Sequence, residues 1–447
     1  MHRSQFRINV LAGIAAMVIS TIAQLVLTPI YLEELGRELY GLWATISILL
    51  VVGYISDQGL ADSLTRHIAQ AHEQDDHDAA TEYAVTAMVI ALIIGSVMAA
   101  IAALFTDVII ASLQQLPQQY VSIAKQLIIT LGLTIIPMLL ATVVSASIIG
   151  FGRMDLRCYV QIVARICQVI VAVVCIYQGY GVWGVYLGFL CFYLVCGLLG
   201  TVLCATAGSI AIWRLNRFRI DRLKEIVSMG HKLVTSRVVA LCFDPMMRWA
   251  IAAHIGLEFV TVFDVAYRIV SQIRALITTG FKALIPRVSV EELSGIEGLN
   301  KTWQLNRKLM MILAAFSLAV MGITLVAGDP LLALWLRDAY DPRIYYATLI
   351  LLAGFLINTV VVPLWYTLIG WGRTDLVLIQ TVLTAALTVI GLGGSWLLNF
   401  PYEVYGVTAA FSGAIGVGAI CMLPLFYVAY RTQVSRVSDQ SITQTAP

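Results

Sequence analysis

Charge is what this chain has least of. Only 12% of its 447 residues are Asp, Glu, Lys or Arg, and 60% are hydrophobic. Soluble domains are about a quarter charged, so a water-soluble fold is excluded. Catalytic signatures are equally scarce. No Walker A run occurs, which excludes a P-loop ATPase as the direct energy source. No H-E-x-x-H and no G-x-S-x-G occurs, so zinc-peptidase and nucleophile-elbow chemistry have no foothold. No C-x-x-C occurs either. The eight cysteines (158, 167, 175, 191, 196, 204, 242 and 421) sit in apolar stretches and read as small buried hydrophobes. His67, His72 and His77 share an acidic segment, but their spacing fits no metal site, and a solvated loop is the favoured reading. The apolar run that begins near residue 9 is too long for a signal-peptide core and lacks a small-residue cleavage site, so it reads as a first membrane span.

What remains is apolar length. A spanning helix needs about 20 mostly apolar residues. Runs bounded by charge, Gly or Pro give twelve: about 9–31, 39–62, 83–105, 121–149, 156–178, 182–206, 231–254, 259–285, 305–327, 344–369, 375–398 and 404–430. The expected fold is all-α and polytopic. With both termini inside, the inner segments collect eighteen cations, from Arg3 and Arg7 to Arg431 and Arg436, whereas the outer ones hold Arg37, Arg337 and Arg343. That is the positive-inside asymmetry, and losing one span would destroy it. No outer loop is long enough for a soluble domain, so any activity lies within the spans.

The sequence also repeats itself. "IGFGRMDL" at 149–156 and "IGWGRTDL" at 369–376 agree at six of eight positions with an offset of 220. Each joins two spans on the inner side. "LGRE" at 35–38 faces "IGLE" at 255–258 at the same offset, and Pro117-x-x-Tyr120 echoes Pro342-x-x-Tyr345. The chain therefore divides into a six-helix N-terminal lobe (1–206), a basic inner linker (207–230), a six-helix C-terminal lobe (231–430) and an inner tail (431–447). An even number of spans gives both copies the same orientation, as parallel repeats. In the doubled phrase Gly supplies a tight turn, Arg153 and Arg373 hold it inside, and Asp155 and Asp375 cap the following helices. A structural turn is favoured over substrate contact. The linker's Arg cluster is either a topology anchor or a binder of anionic lipid head groups.

Ionisable residues inside spans are costly and mark function by default. Span seven carries Arg237, Asp244 and Arg248, and span eight carries Asp264, Arg268 and Lys282, with Ser271 between. Each set keeps within about 20–40° of one helix face. Arg274 falls well off that stripe. Span five carries Gln161, Arg165 and Gln168 at i, i+4, i+7. Such stripes pair internally or line a wet cavity. Asp244–Arg248 and Asp264–Arg268 are natural i+4 pairs, but cations outnumber acids. A cationic cavity of Arg165, Arg237, Arg248, Arg268 and Lys282 is therefore expected, suited to a phosphate or carboxylate. Asp57, at the inner end of span two, is either an ordinary exit from the membrane or a gate or coupling-ion site. Asp244 and Asp264 join it as coupling or gating candidates. Asp244-Pro245 is a hinge or a static kink.

The two-lobe organisation, "ELYGLWATISILLVVGYISDQGLADSLTRHIA" in span two, "FDVAYRIVSQIRALITTGFKALIPRVS" in span eight and the paired G-x-G-R-x-D-L turns together resemble a known family. They are similar to the Wzx-type polysaccharide flippases of the multidrug/oligosaccharidyl-lipid/polysaccharide (MOP) exporter superfamily. The resemblance implies two six-helix bundles in a V-shaped, MATE-like arrangement and no enzymatic activity. It implies alternating-access transfer of an undecaprenyl-diphosphate-linked oligosaccharide, an O-antigen, capsule or exopolysaccharide repeat unit, across the cytoplasmic (inner) membrane. It also implies H+ or Na+ coupling rather than a bound cofactor. A polysaccharide polymerase and a chain-length regulator are the implied partners besides membrane lipids, and nucleic acid is not. By position, Arg237, Arg248 and Arg268 would meet the diphosphate. The two extra spans and the span-one and span-two arginines usual in lipid II flippases are missing. Two rivals stand beside this reading. A MATE-type cation-coupled multidrug exporter usually needs acids inside its lobes, and span one has none. A polysaccharide polymerase usually carries a large outer loop.

Overall fold

The computed structural model describes residues 3–207, 215–225, 245–281, 288, 295–397 and 403–445. Within these, nothing is said of the side chains of 3–7, 10, 52, 54–59, 62, 207, 215, 276–280, 374, 395–397, 403 and 436–445. Among the described residues every regular element is helical. We label the long helices α1 (Arg3–Ile46), α2 (Ile48–Glu73), α3 (His77–Leu104), α4 (Thr106–Ser112, a single short piece), α5 (Val121–Gly150), α6 (Met154–Cys175), α7 (Val182–Ala207), α8 (Leu257–Phe281), α9 (Gly295–Leu336), α10 (Pro342–Gly370), α11 (Thr374–Leu397) and α12 (Glu403–Thr445). Residues 220–225 and 245–254 are also helical.

Nine segments among the described residues are long and apolar enough to cross a membrane. They are consistent with twelve spans. The segment Leu11–Val51 contains the first expected span and the start of the second, joined across a kink at Gly36 (φ 72°, ψ 171°). Span eight is the described helix α8, whose charges keep it off the apolar count, and most of span seven lies outside the described residues. Backbone groups in lipid must be satisfied within the segment, and helices do this without help from water.

By packing, the chain divides into two compact units, 1–261 and 262–447. The sequence places its lobe boundary at 207–230 instead. One reason for the different division is local to the first unit. Arg37 pairs with Glu258 at 3.5 Å, and the Thr261 hydroxyl donates to the Arg37 carbonyl at 2.6 Å. The helical segment 245–254 and the first residues of α8 are thereby drawn to the first unit. These are the two "G-x-E" turns of the repeat, and both contain a glycine of positive φ, Gly36 at 72° and Gly256 at 137°.

The duplication is visible in how helices pack inside each unit. In the first, α3 packs on α5, α5 on α7 and α6 on α7. In the second, α9 packs on α10, α10 on α12 and α11 on α12. The equivalent helices α5 and α10 are the most buried spans of their units. Both enter the doubled phrase through the same C-terminal turn. Gly152 (φ 73°) and Gly372 (φ 67°) adopt the left-handed conformation, which glycine reaches without Cβ strain. Behind each glycine the arginine amide reaches back to the helix, Arg153 N–H to the Ile148 carbonyl at 3.4 Å and Arg373 N–H to Leu368 at 2.9 Å. That is the 6→1 bond of a Schellman motif.

The aspartates of the phrase do something other than the expected side-chain cap. Asp155 accepts Arg153 Nε and Nη2, both at 3.1 Å. Asp375 accepts Arg373 Nε and Nη2, both at 3.0 Å. The residue ahead of α6, Arg153, makes no side-chain cap bond. A bidentate guanidinium–carboxylate fork is stronger than a neutral cap bond, and the two-residue spacing across the turn favours it. In the first copy Asn9 adds a brace, donating to the Gly152 carbonyl at 3.2 Å and accepting from Asp155 N–H at 3.0 Å.

The basic linker is partly described, and its arginines are engaged. Arg217 pairs with Asp78 at 3.1 Å, and Arg219 and Arg222 both reach Glu82 at 3.4 Å. Arg222 also donates to the Tyr83 hydroxyl at 2.8 Å and lies over its ring. Tyr83 in turn donates to Glu225. This bond, and then the Arg222 charge, hold the Glu225 carboxyl below its ordinary pKa of 4.5. These arginines bind the start of α3, as an anchor would. Arg214 lies outside the described residues.

Candidate functional site

Four of the expected site residues have described side chains: Arg165 and Arg248 in the first unit, Asp264 and Arg268 in the second. Asp57 lies in α2, but its side chain is among those not described. Arg237, Asp244 and Lys282 lie outside the described residues, and with them the expected Asp244–Arg248 pair.

The Asp264–Arg268 pair forms as its i+4 spacing predicts. Arg268 Nε donates to Asp264 Oδ2 at 2.7 Å. The carboxylate is fully buried, while the Arg268 side chain keeps 29% of its surface. An ion pair in a span lowers the cost of each charge only while both remain. Ser271, between the charges of the stripe, turns its hydroxyl onto the Arg268 carbonyl at 2.9 Å and adds no charge-balancing group.

Off the stripe, Arg274 is exposed, and its guanidinium lies 5.5 Å from the Phe355 ring centroid. Phe355 belongs to an aromatic cluster drawn from α8, α10 and α12. Phe263 stacks on Tyr267 with centroids 5.7 Å apart, and Tyr267 and Phe355 each pack on Phe411 at 6.2 Å. Wheel geometry puts Arg274 on the Phe263–Tyr267 face of α8, about 20° from each. The charge-only stripe missed it. The aromatic spacing i, i+4, i+11 was the signal that could have found it.

In the first unit, Arg248 is 9% exposed. Arg165 is half-buried on α6. Its Nη1 donates to Gln168 Oε1 at 2.6 Å, and its guanidinium sits 4.4 Å from the Phe192 ring centroid on α7. Cation–aromatic contact contributes about 0.5–2 kcal/mol, less than the roughly 2.5–3.5 kcal/mol cost of an arginine at the centre of a span. Contacts of this kind hold the side chain in place and leave its charge available.

Among the described residues, the helices that carry the expected site hold the buried Arg248, the half-buried Arg157, Arg165 and Arg268 and the exposed Arg274, beside two buried aspartates, Asp155 and Asp264. Among the described residues no cluster of three or more His, Cys, Asp and Glu is placed to hold a metal. The histidines at 67 and 72 have separate surroundings. His67 packs at a tilt on Tyr83 at 4.8 Å, whereas His72 meets the edge of Phe151 at 5.6 Å.

A family model described as polysaccharide biosynthesis protein matches residues 7–290. The chain belongs to the polysaccharide biosynthesis protein family. Members of this fold are found among solved transporters. The chain is similar to an inward-facing multidrug resistance MATE family transporter of the MOP superfamily, with a TM-score of 0.69 and 17% identity, covering 97% of this chain and 96% of that one. It is similar to the lipid II flippase MurJ in an inward closed conformation, at a TM-score of 0.69 and 11% identity over 98% and 93% of the two chains. A MOP superfamily transporter from Pyrococcus furiosus, described by the reverse polarity of its binding pocket, gives 0.62 and 16% identity over 97% and 96%. No match to a curated protein sequence is found. The apolar helices and the fold shared with these structures show a multi-pass membrane protein, and the polytopic, all-helical, MATE-like architecture expected from the sequence is the one observed.

Proposed function

We propose that this family member is a flippase for an undecaprenyl-diphosphate-linked oligosaccharide, an O-antigen, capsule or exopolysaccharide repeat unit, moved across the cytoplasmic membrane by alternating access. The observation that carries the reading is the sign of the interior. Among the described residues, α6, 245–254 and α8 carry the five arginines Arg157, Arg165, Arg248, Arg268 and Arg274 against the three acids Asp155, Glu258 and Asp264. An excess of guanidinium in a low-dielectric setting attracts phosphate or carboxylate and repels organic cations. Both termini are on the cytoplasmic side in this reading, because the basic segments then lie inside. H+ or Na+ coupling runs through Asp57, Asp244 or Asp264. A polymerase and a chain-length regulator receive the translocated unit, and anionic membrane lipids surround the basic inner face.

The test is surface-glycan display in a strain that depends on this chain. Arg248→Ala should reduce display at least tenfold while the protein stays at normal level in the membrane fraction. Arg268→Ala, made together with Asp264→Asn so that no bare carboxylate is left, should do the same. Full display in both variants would remove the cavity arginines from the mechanism.

A multidrug exporter is the second reading, favoured by the fold shared with MATE transporters. It requires export of an organic cation from loaded membrane vesicles with no effect of deletion on surface glycan.

A further inference from the structure

Helix α6 carries a second arginine that the span-by-span charge pattern assigns to topology. Arg157, Gln161, Arg165 and Gln168 stand at i, i+4, i+8 and i+11. These offsets stay within about 80° of one another, so they form one polar ridge on an otherwise apolar helix. Arg157 and Arg165 are about 12 Å apart along the axis. Arg165 lies eleven residues into α6, about 16 Å from its start and near the middle of a hydrocarbon core about 30 Å thick. The ridge therefore runs from the end of the span next to the Gly152 turn to mid-membrane.

Both guanidinium groups are incompletely satisfied. Nε of Arg157 and Nε of Arg165 are buried atoms without a hydrogen-bond acceptor. No carboxylate among the described residues lies within ion-pair distance of either. The helices packed around α6 explain why. Helices α5 and α7 contain no Asp or Glu. On α1 the acids Glu33, Glu34 and Glu38 are exposed. Asp155, the one acid of α6, is held by Arg153 through two 3.1 Å bonds. The Arg153–Asp155 fork thus removes the nearest negative charge from Arg157. Further along, Gln168, an acceptor without charge, and Phe192 hold Arg165 in place at 2.6 Å and 4.4 Å without neutralising it. A buried guanidinium with a spare N–H is costly in a span, and an oxyanion relieves that cost with one or two charge-assisted bonds.

We propose that this ridge is an oxyanion site internal to the first unit, with Arg165 as the seat and Arg157 as the approach, for the phosphate or carboxylate of a lipid-borne substrate. Gln168 and Phe192 are positioning residues that fix the Arg165 fork. The proposal rests on the flippase reading and sharpens it, because it puts an anion contact at mid-membrane in one unit and a waiting contact about two helical turns closer to the Gly152 end.

The experiment uses the full-length protein in nanodiscs, with geranylgeranyl diphosphate as the probe and geranylgeraniol, inorganic pyrophosphate and phosphatidylglycerol as comparators. Phenylglyoxal modification of arginine is followed residue by residue by mass spectrometry, on the unmutated chain. Geranylgeranyl diphosphate should slow modification of Arg165 and Arg157 at least fivefold, and the neutral alcohol should not. Arg165→Gln should weaken probe binding at least tenfold, Arg157→Gln about threefold or more, and Arg431→Gln, at an exposed site, not at all. Arg165→Lys should recover part of the loss. Probe binding by the unmutated chain with no protection of either arginine would overturn the site and leave the flippase reading standing. Equal protection by phosphatidylglycerol would overturn it too, as a general head-group contact. No binding of any prenyl diphosphate, with binding of an organic cation, would overturn the flippase reading and the site with it.

Discussion

Asp264→Ala is expected to lower the stability of the second unit by about 3–5 kcal/mol, the cost of stranding one partner of a buried ion pair. The carboxylate is fully buried and receives Arg268 Nε at 2.7 Å. Without it the guanidinium stays in a helix packed through Phe263 and Tyr267 against the aromatic cluster. In practice the variant should show a thermal midpoint lowered by several degrees and reduced yield in detergent. Asp264→Leu combined with Arg268→Met removes both charges at similar volume, and should return most of the lost midpoint. The two readouts then separate. If the pair serves transport, the double variant is stable and fails to display glycan. If it is structural only, the double variant displays glycan normally. An undisturbed midpoint in Asp264→Ala would show that the pair bears no part of the fold.

The second large effect is steric. A Cβ placed on Gly354 would lie 2.1 Å from the Ser412 carbonyl oxygen and 2.5 Å from its hydroxyl. Gly354 N–H also donates to that hydroxyl at 3.0 Å. Here α10 and α12 touch backbone to backbone, the close approach that small residues permit in membrane helix pairs. Gly354→Ala cannot be absorbed by a rotamer change, because the obstacle is main chain. The helices must separate along the most buried span of the unit, with a loss of about 1–3 kcal/mol or more from strain and lost packing. Gly322→Ala is the internal control. It is also a helical glycine, but nothing lies within 4 Å of the added Cβ. It should be neutral or stabilising by up to about 1 kcal/mol from helix propensity. Thermal midpoints of the purified variants check both. Equal behaviour of the two would contradict the packing described for α10 and α12.

Much of the architecture was legible in the sequence because the forces that set it are local. Long apolar runs become helices in lipid whatever surrounds them, and the doubled phrase announces the duplication because a Schellman turn needs glycine at one position. The Asp264–Arg268 pair was legible for the same reason, since i+4 spacing on a helix brings the two groups together. What escaped depends on tertiary neighbours. The sequence cannot say that Arg217, Arg219 and Arg222 meet Asp78 and Glu82 more than 130 residues away, so the linker read as either a topology anchor or a binder of lipid head groups. It gave Asp155 a capping role, because the competing Arg153 fork depends on how the chain leaves the left-handed glycine. The break between the first two spans at "ELGRE" was legible, and Gly36 leaves the helical conformation there (φ 72°, ψ 171°). Arg157 was counted with the inner anchoring charges, and only the packing of α1, α5 and α7 around α6 reveals that no carboxylate among the described residues pairs with it.

The most direct test of the account is translocation by the purified chain in proteoliposomes. An undecaprenyl-diphosphate-linked oligosaccharide with a fluorescent sugar is placed in both leaflets, and an enzyme that cleaves only outward-facing glycan reports transfer. The account predicts that cleavage proceeds beyond the initially exposed half in vesicles containing the protein, is slowed at least tenfold by Arg248→Ala, and stops at half without protein. Cleavage that stops at half with active, folded protein present, together with uptake of an organic cation by the same vesicles, would contradict it.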